Sequence, residues 1–258
     1  MKGLDKFADH FKDHTDKYIV IGGAACDDLF EEQGIEFRAT NDIDLILVVE
    51  ALDDSFIEHF WNFIREGIYE RKEAEEEKQY YRFINPEKED FPVQVELFSR
   101  KPDVIQERED MKFTPIPTDE DISSLSAILM DDEYYEFTLA HTEKNGILNR
   151  ADDLALICLK AKAFLDLSKR KADGERVDSK HIKKHKNDVF RLAAILLGDR
   201  NIKLSEHIRS DIITFIARME ENLPDTAPML KTMGIGALKA EDLIGQLKLT
   251  FNLQESEK

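Results

Sequence analysis

The chain has 258 residues, of which 42% are apolar and 35% charged, with a formal net charge of −18. That length supports one large domain or two modest ones with cores of their own, and the composition excludes a disordered chain. The acidic balance excludes broad non-specific binding to nucleic acid or anionic lipid, and two cysteines exclude a disulfide framework.

The N-terminal stretch MKGLDKFADHFKDH has no apolar core of the signal-peptide kind, and no run approaches the ~20 apolar residues of a membrane span. The expectation is therefore a cytoplasmic protein without membrane contact. Leu4, Phe7, Ala8 and Phe11 fall at helical spacing and predict an amphipathic helix over residues 3–14. Tyr18–Ile21 then reads as a short buried strand, Gly22-Gly23 as a turn, and Ala24–Gln33 as a helix closed by Gly34. Ile43–Val49 is almost wholly apolar, as suits a central strand covered on both faces. Asp53 or Asp54 caps a helix whose apolar face includes Phe56, Phe60, Phe63 and Ile64.

Glu70–Lys78 is a charge run and reads as a solvated face or loop. Tyr80–Ile84 and Val93–Phe98 form a hairpin pattern with Asn85-Pro86 and Asp90 as turn signals. Leu125–Met130 and Tyr134–Ala140, flanking Asp131-Asp132-Glu133, read as another. The character changes after Asn149: Leu154–Leu167, Val189–Leu197, Ile208–Met219 and Leu238–Leu249 each carry the 3.6-residue apolar period. The boundary falls within roughly Ile116–Arg150. The expected class is α+β, with a mixed sheet and flanking helices over residues 1–145 and a helical bundle over 146–258.

The chemistry concentrates between Tyr18 and Glu50. A glycine pair at a strand end lets backbone approach a phosphate, because no Cβ intervenes. Asp42 and Asp44, at i and i+2 of a strand, point to one face and can share a divalent cation. Glu96 sits inside the apolar run Val95-Glu96-Leu97-Phe98, where an isolated carboxylate is costly unless paired or metal-bound. If its strand neighbours that of the aspartates, three carboxylates can hold two Mg²⁺ ions, with Mn²⁺ as an alternative. The other reading of Glu96 is an edge-strand residue facing water.

Gly22-Gly23, Asp42-Ile43-Asp44 and Glu96 together resemble the nucleotidyltransferase fold of the DNA polymerase β superfamily. Arg38-x-Thr40-x-Asp42-Ile43-Asp44 resembles the minimal AbiEii-type toxins of type IV toxin–antitoxin and abortive-infection systems. The resemblance implies that Gly22 and Gly23 hold nucleotide phosphates, that Arg38 and Thr40 belong to the substrate site, and that Asp42, Asp44 and Glu96 bind metal. In the helical part, Leu159-Lys160-Ala161-Lys162-Ala163 resembles the family's lysine motif and Lys186-Asn187-Asp188-Val189 its aspartate motif. Lys160 would then contact a phosphate, with Lys162 as the fallback, and Asp188 would organise the pocket. The link between these two helices is longer than usual for the family, and the third acid is Glu rather than Asp.

Lys169–Lys186 carries eight Lys or Arg against three Asp or Glu, a local balance of +5 that leaves −23 on the remainder. It reads either as a guide for a polyanionic acceptor such as tRNA or another RNA, or as a solvated linker. His181 and His185, inside that run, read as solvated histidines. The function implied by the resemblance is transfer of NMP from an NTP to an acceptor hydroxyl, with a cognate antitoxin as partner. Two alternatives stand beside it: an aminoglycoside-type transferase with a small-molecule acceptor, favoured by the acidic surplus over 103–136, and a non-catalytic nucleotide-binding module of the same fold.

Overall fold

The structure is a computed structural model that describes residues 1–48, 51–71, 80–98, 128, 131–198, 200–236 and 238–253. Most of the Glu70–Lys78 run, nearly all of Leu125–Met130 and most of the acidic surplus over 103–136 lie outside those residues.

The chain is α+β. Among the described residues, seven strands form one mixed sheet in the order β3-β4-β5-β2-β1-β7-β6. They are β1 (Tyr18–Ile21), β2 (Asp42–Leu47), β3 (Glu70–Arg71), β4 (Tyr80–Ile84), β5 (Gln94–Phe98), β6 (Thr142–Asn145) and β7 (Leu148–Ala151). The N-terminal helices are α1 (Leu4–Phe11), α2 (Gly22–Glu32) and α3 (Asp54–Gly67). Then come α4 (Asp132–Ala140), α5 (Asp153–Ala172), α6 (Ser179–Ala193), α7 (Glu206–Glu221), α8 (Ala227–Thr232) and α9 (Ala240–Thr250). No helix of the described residues is long and apolar enough to cross a membrane.

Strand β2 is central, antiparallel to β1 on one side and parallel to β5 on the other. All four residues of β1 are buried, which explains its unbroken apolar run. Beneath α1 and α3 the core is aromatic: Phe7 meets Tyr18 edge-on at 5.2 Å and Phe63 at 5.7 Å, and Phe63 lies 4.8 Å from Phe91. Helix α5 touches α2, α4, α6, α7 and β7, so it ties the sheet to the C-terminal helices. Its start is set by Asp152, whose Oδ1 accepts from the Ala155 amide at 2.9 Å. Asp53 caps α3 in the same way, accepting from Phe56 N at 2.8 Å.

Tyr134–Ala140, expected as a strand, is helix α4. Asp131 precedes it and accepts from the amides of Glu133 and Tyr134 at 2.9 and 3.3 Å. That cap satisfies the first amides of a helix, and Tyr134, Tyr135 and Thr138 then share its buried side. The β6–β7 hairpin carries the sheet to Ala151. Asn145 pairs with Leu148 around a two-residue loop in which Gly146 has φ of 58°. Arg150 of β7 has no exposed surface; its guanidinium meets Asp28 and Glu32 of α2 at 2.5 Å each, and Glu143 of β6.

Candidate active site

The strand pairings bring the predicted acids together. Asp42 and Asp44 lie on one side of β2, and the parallel register sets Asp42 opposite Gln94 and Asp44 opposite Glu96. On the far side of β5, Arg82 of β4 stands opposite Glu96. All five side chains line one cavity of about 260 Å³. Glu96 is 5% exposed. Its Oε1 accepts from Arg82 Nε and from Gln94 Nε2, each at 2.7 Å. Arg82 and Gln94 were not singled out by sequence; the register of β4 and β5 brings Arg82 to the acid, and alternation along β5 puts Gln94 on its face.

The same sheet delivers the glycines. Ile21 pairs with Asp44 across the β1–β2 ladder, so the next residue, Gly22, begins α2 beside that carboxylate. Gly22 has φ of 68°, and a Cβ there would lie 1.8 Å from Asp44 Oδ2. A Cβ on Gly23 would lie 2.4 Å from Thr40 Oγ1. Both positions therefore demand glycine, the first through conformation and space and the second through space alone. The N-cap residue Ile21 offers no side-chain acceptor to the first turn of α2, and both glycines line the cavity.

The third wall comes from the helices. Helix α5 contributes Leu156, Leu159, Lys160 and Ala163, and α6 contributes His181, Lys184 and His185. Lys160 is thus the lysine that faces the cavity. Lys162 points elsewhere, with Nζ 2.8 Å from Asp211 Oδ2 and 5.7 Å above the Tyr134 ring. His181 and His185, expected to be solvated, line the cavity instead. The reason is helical spacing: residues 181, 184, 185 and 188 occupy one face of α6, and the fully buried Asp188 turns that face inward.

Asp188 lies behind the cavity wall rather than in it. Its carboxylate accepts from Arg38 Nε (3.0 Å to Oδ1) and Nη2 (2.8 Å to Oδ2) and from Arg191 Nη1 (2.9 Å), and Lys160 Nζ stands 3.4 Å away. Burial pushes this carboxyl up, but Lys160, Arg38 and Arg191 together hold it below the ordinary carboxylate range. Arg38 and Thr40 are likewise behind the wall, one clamped on Asp188 and the other packed against Gly23.

The acids show the opposite balance. Burial, and then the charge of Asp44, raise Asp42 above the usual range. Burial and Asp44, which also shares a hydrogen bond with it, raise Glu96 well above that range. Burial therefore opposes negative charge on the strand side of the cavity first, and Asp44 adds to that opposition. Among the described residues, no group of three or more His, Cys, Asp or Glu is already drawn together as a metal cage. The donor chemistry nonetheless fits a hard divalent cation. Three carboxylates from adjacent strands open on one cavity, and burial, followed by the charge of Asp44, raises the proton affinity of the other two.

No protein-family model matches the chain, and neither do curated proteins or solved structures.

Proposed function

We propose that the chain is a Mg²⁺-dependent nucleotidyltransferase that moves NMP from an NTP to an acceptor hydroxyl. The observation that carries this reading is one cavity shared by Asp42, Asp44, Glu96, the glycine-led start of α2 and Lys160. In the reaction the acceptor oxygen bonds to the α-phosphorus, the bond from that phosphorus to the bridging oxygen breaks, and pyrophosphate leaves. Gly22 and Gly23 offer backbone amides at a helix N-terminus to the β- and γ-phosphates. Lys160 supplies a fixed positive charge to the same polyanion. Asp42, Asp44 and Glu96 would hold two Mg²⁺ ions, or Mn²⁺, which when bound neutralise the triphosphate and lower the pKa of the attacking hydroxyl. Glu96 would ligate the catalytic metal and help take up the hydroxyl proton.

An RNA acceptor such as tRNA is the favoured class. Lys180 and Lys183 are exposed on α6, and Lys184 of the same helix lines the cavity, so positive charge leads from the surface to the site. A toxin of the AbiEii type, held in check by a cognate antitoxin, would have this acceptor chemistry. The test is incubation of purified protein with Mg²⁺, each labelled NTP and total tRNA, beside an Asp42→Ala/Asp44→Ala double variant. Label should enter tRNA with the wild type and not with the variant. Neither labelled tRNA nor pyrophosphate with any NTP would sink the reading.

A further inference from the structure

The cavity has two chemically distinct parts. The strand side and the lysines carry the charge that a metal–triphosphate requires. Helix α5, by contrast, presents Leu156, Leu159 and Ala163 at i, i+3 and i+7, an apolar strip that a polyphosphate has no use for. Beside that strip stands His185 of α6. Its Nδ1 is shielded from solvent and has no hydrogen-bond partner among the described residues. An unsatisfied buried polar atom costs about 1–3 kcal/mol, and in native proteins such atoms are rare enough to require a reason.

From this juxtaposition we infer that the apolar strip of α5 and the imidazole of His185 form the nucleobase subsite, with His185 reading the edge of the base. The inference rests on the nucleotidyltransferase reading and assigns the part of the ligand that reading leaves unplaced. The chemistry of the imidazole agrees. Burial, then the charges of Lys160 and Lys184, keep His185 well below the usual histidine range, so the ring is neutral. A neutral imidazole nitrogen meets a base edge as either donor or acceptor, according to its tautomer, whereas a phosphate would call for a cation. Flat, weakly polar bases lie well on Leu and Ala side chains, leaving their polar rim free for His185.

Equilibrium binding separates this subsite from a packing role. The probes are the α,β-methylene analogues of ATP, GTP, CTP and UTP, plus inorganic tripolyphosphate, each with Mg²⁺. The proteins are the wild type, His185→Phe, which keeps a flat ring without nitrogens, and His185→Asn, which keeps a polar atom near the Nδ1 position. The wild type should prefer one base over the weakest by about tenfold or more, as hydrogen-bond readout provides. His185→Phe should flatten that spread to within about threefold while leaving tripolyphosphate affinity unchanged, and His185→Asn should keep part of the preference. The inference is overturned if the wild type binds all four alike, if folded His185→Phe keeps the full spread, or if nucleotides and tripolyphosphate weaken by one common factor. Base-selective binding without transfer to any acceptor would sink the transferase reading and leave the subsite standing. Transfer with an unchanged base preference in His185→Phe and His185→Asn would do the reverse.

Discussion

The guanidinium of Arg38 closes on the carboxylate of Asp188 across 150 positions of sequence, with Nη2 2.8 Å from Oδ2 and Nε 3.0 Å from Oδ1. This bidentate pair joins the segment that enters β2 to α6, and Lys160 brings α5 to the same carboxylate. The carboxylates of β2 and the lysine of α5 thus owe their relative placement to one buried charge.

Replacing that charge should be severe. Asp188→Asn leaves Arg38, Lys160 and Arg191 around a neutral amide, and breaking a buried ionic cluster at one member costs about 3–5 kcal/mol. Urea unfolding measures it, and a loss below about 1 kcal/mol would contradict the assignment. The pH dependence has a definite sign. The folded-state pKa of Asp188 lies below its unfolded value of about 3.9, so its contribution is complete above that value and disappears as pH falls through the lower one. Wild-type stability should therefore fall more steeply below about pH 4 than that of Asp188→Asn.

Which parts of this arrangement could be read from sequence follows from their range. Strand β1, the glycine pair, α2 and the i, i+2 aspartates are local patterns, and the structure has them where residues 18–47 imply. Glu96 was legible because a carboxylate inside Val95–Phe98 is an anomaly. Arg82 was not, since its meeting with Glu96 depends on strand neighbours and register, whereas Gln94, two residues before Glu96 on one strand, was an available signal. The partner of Arg38 was equally hidden by distance along the chain. His181 and His185 were obscured by the surrounding lysines, although their spacing to Asp188 was the available signal. Asn145-Gly146 was likewise an available turn signal for the β6–β7 hairpin.

Glu96 should show a trade-off between stability and function. Its pKa is raised in the folded state, so ionisation opposes folding above that pKa, and the opposition is relieved as pH falls toward the unfolded value near 4.3. Without divalent cations near pH 8, Glu96→Gln should be more stable than wild type by about 0.5–2 kcal/mol. Mg²⁺ should raise the thermal midpoint of the wild type more than that of the variant, while turnover in the variant falls by about 10²-fold or more. Calorimetry with and without Mg²⁺ tests the first part. Equal Mg²⁺ shifts in both proteins would argue against Glu96 as a ligand.

The two glycines should fail differently. Gly22→Ala meets both a left-handed φ, worth about 1–2 kcal/mol, and a Cβ position 1.8 Å from Asp44 Oδ2. Displacing that carboxylate by about 1 Å should lower turnover by about 10²-fold. Gly23→Ala presses on Thr40 Oγ1 instead. A second change, Thr40→Ala, should restore much of the activity of Gly23→Ala and none of that of Gly22→Ala. Kinetics of the two double variants decide it; rescue of both or of neither would show that the glycines do not act through these separate neighbours.

Lys160 and Lys162 provide the sharpest internal control, because two positions on one helix give them different surroundings. Lys160 is 5% exposed, lines the cavity and faces Asp188, whereas Lys162 pairs with Asp211 on a partly exposed side of α5. Lys160→Met keeps the aliphatic stem but removes the charge available to a phosphate, so NTP affinity should fall by about tenfold or more, the effect of about 1.4 kcal/mol. Lys162→Met breaks a part-exposed ion pair worth about 1 kcal/mol or less and should leave NTP affinity alone. Titration of both variants with NTP and with tripolyphosphate distinguishes a phosphate contact from a general loss of structure. Lys160→Met should weaken both ligands by a similar factor, since the shared phosphates are what it would hold. If Lys162→Met weakened them equally, the cavity-facing position of Lys160 would not be the cause.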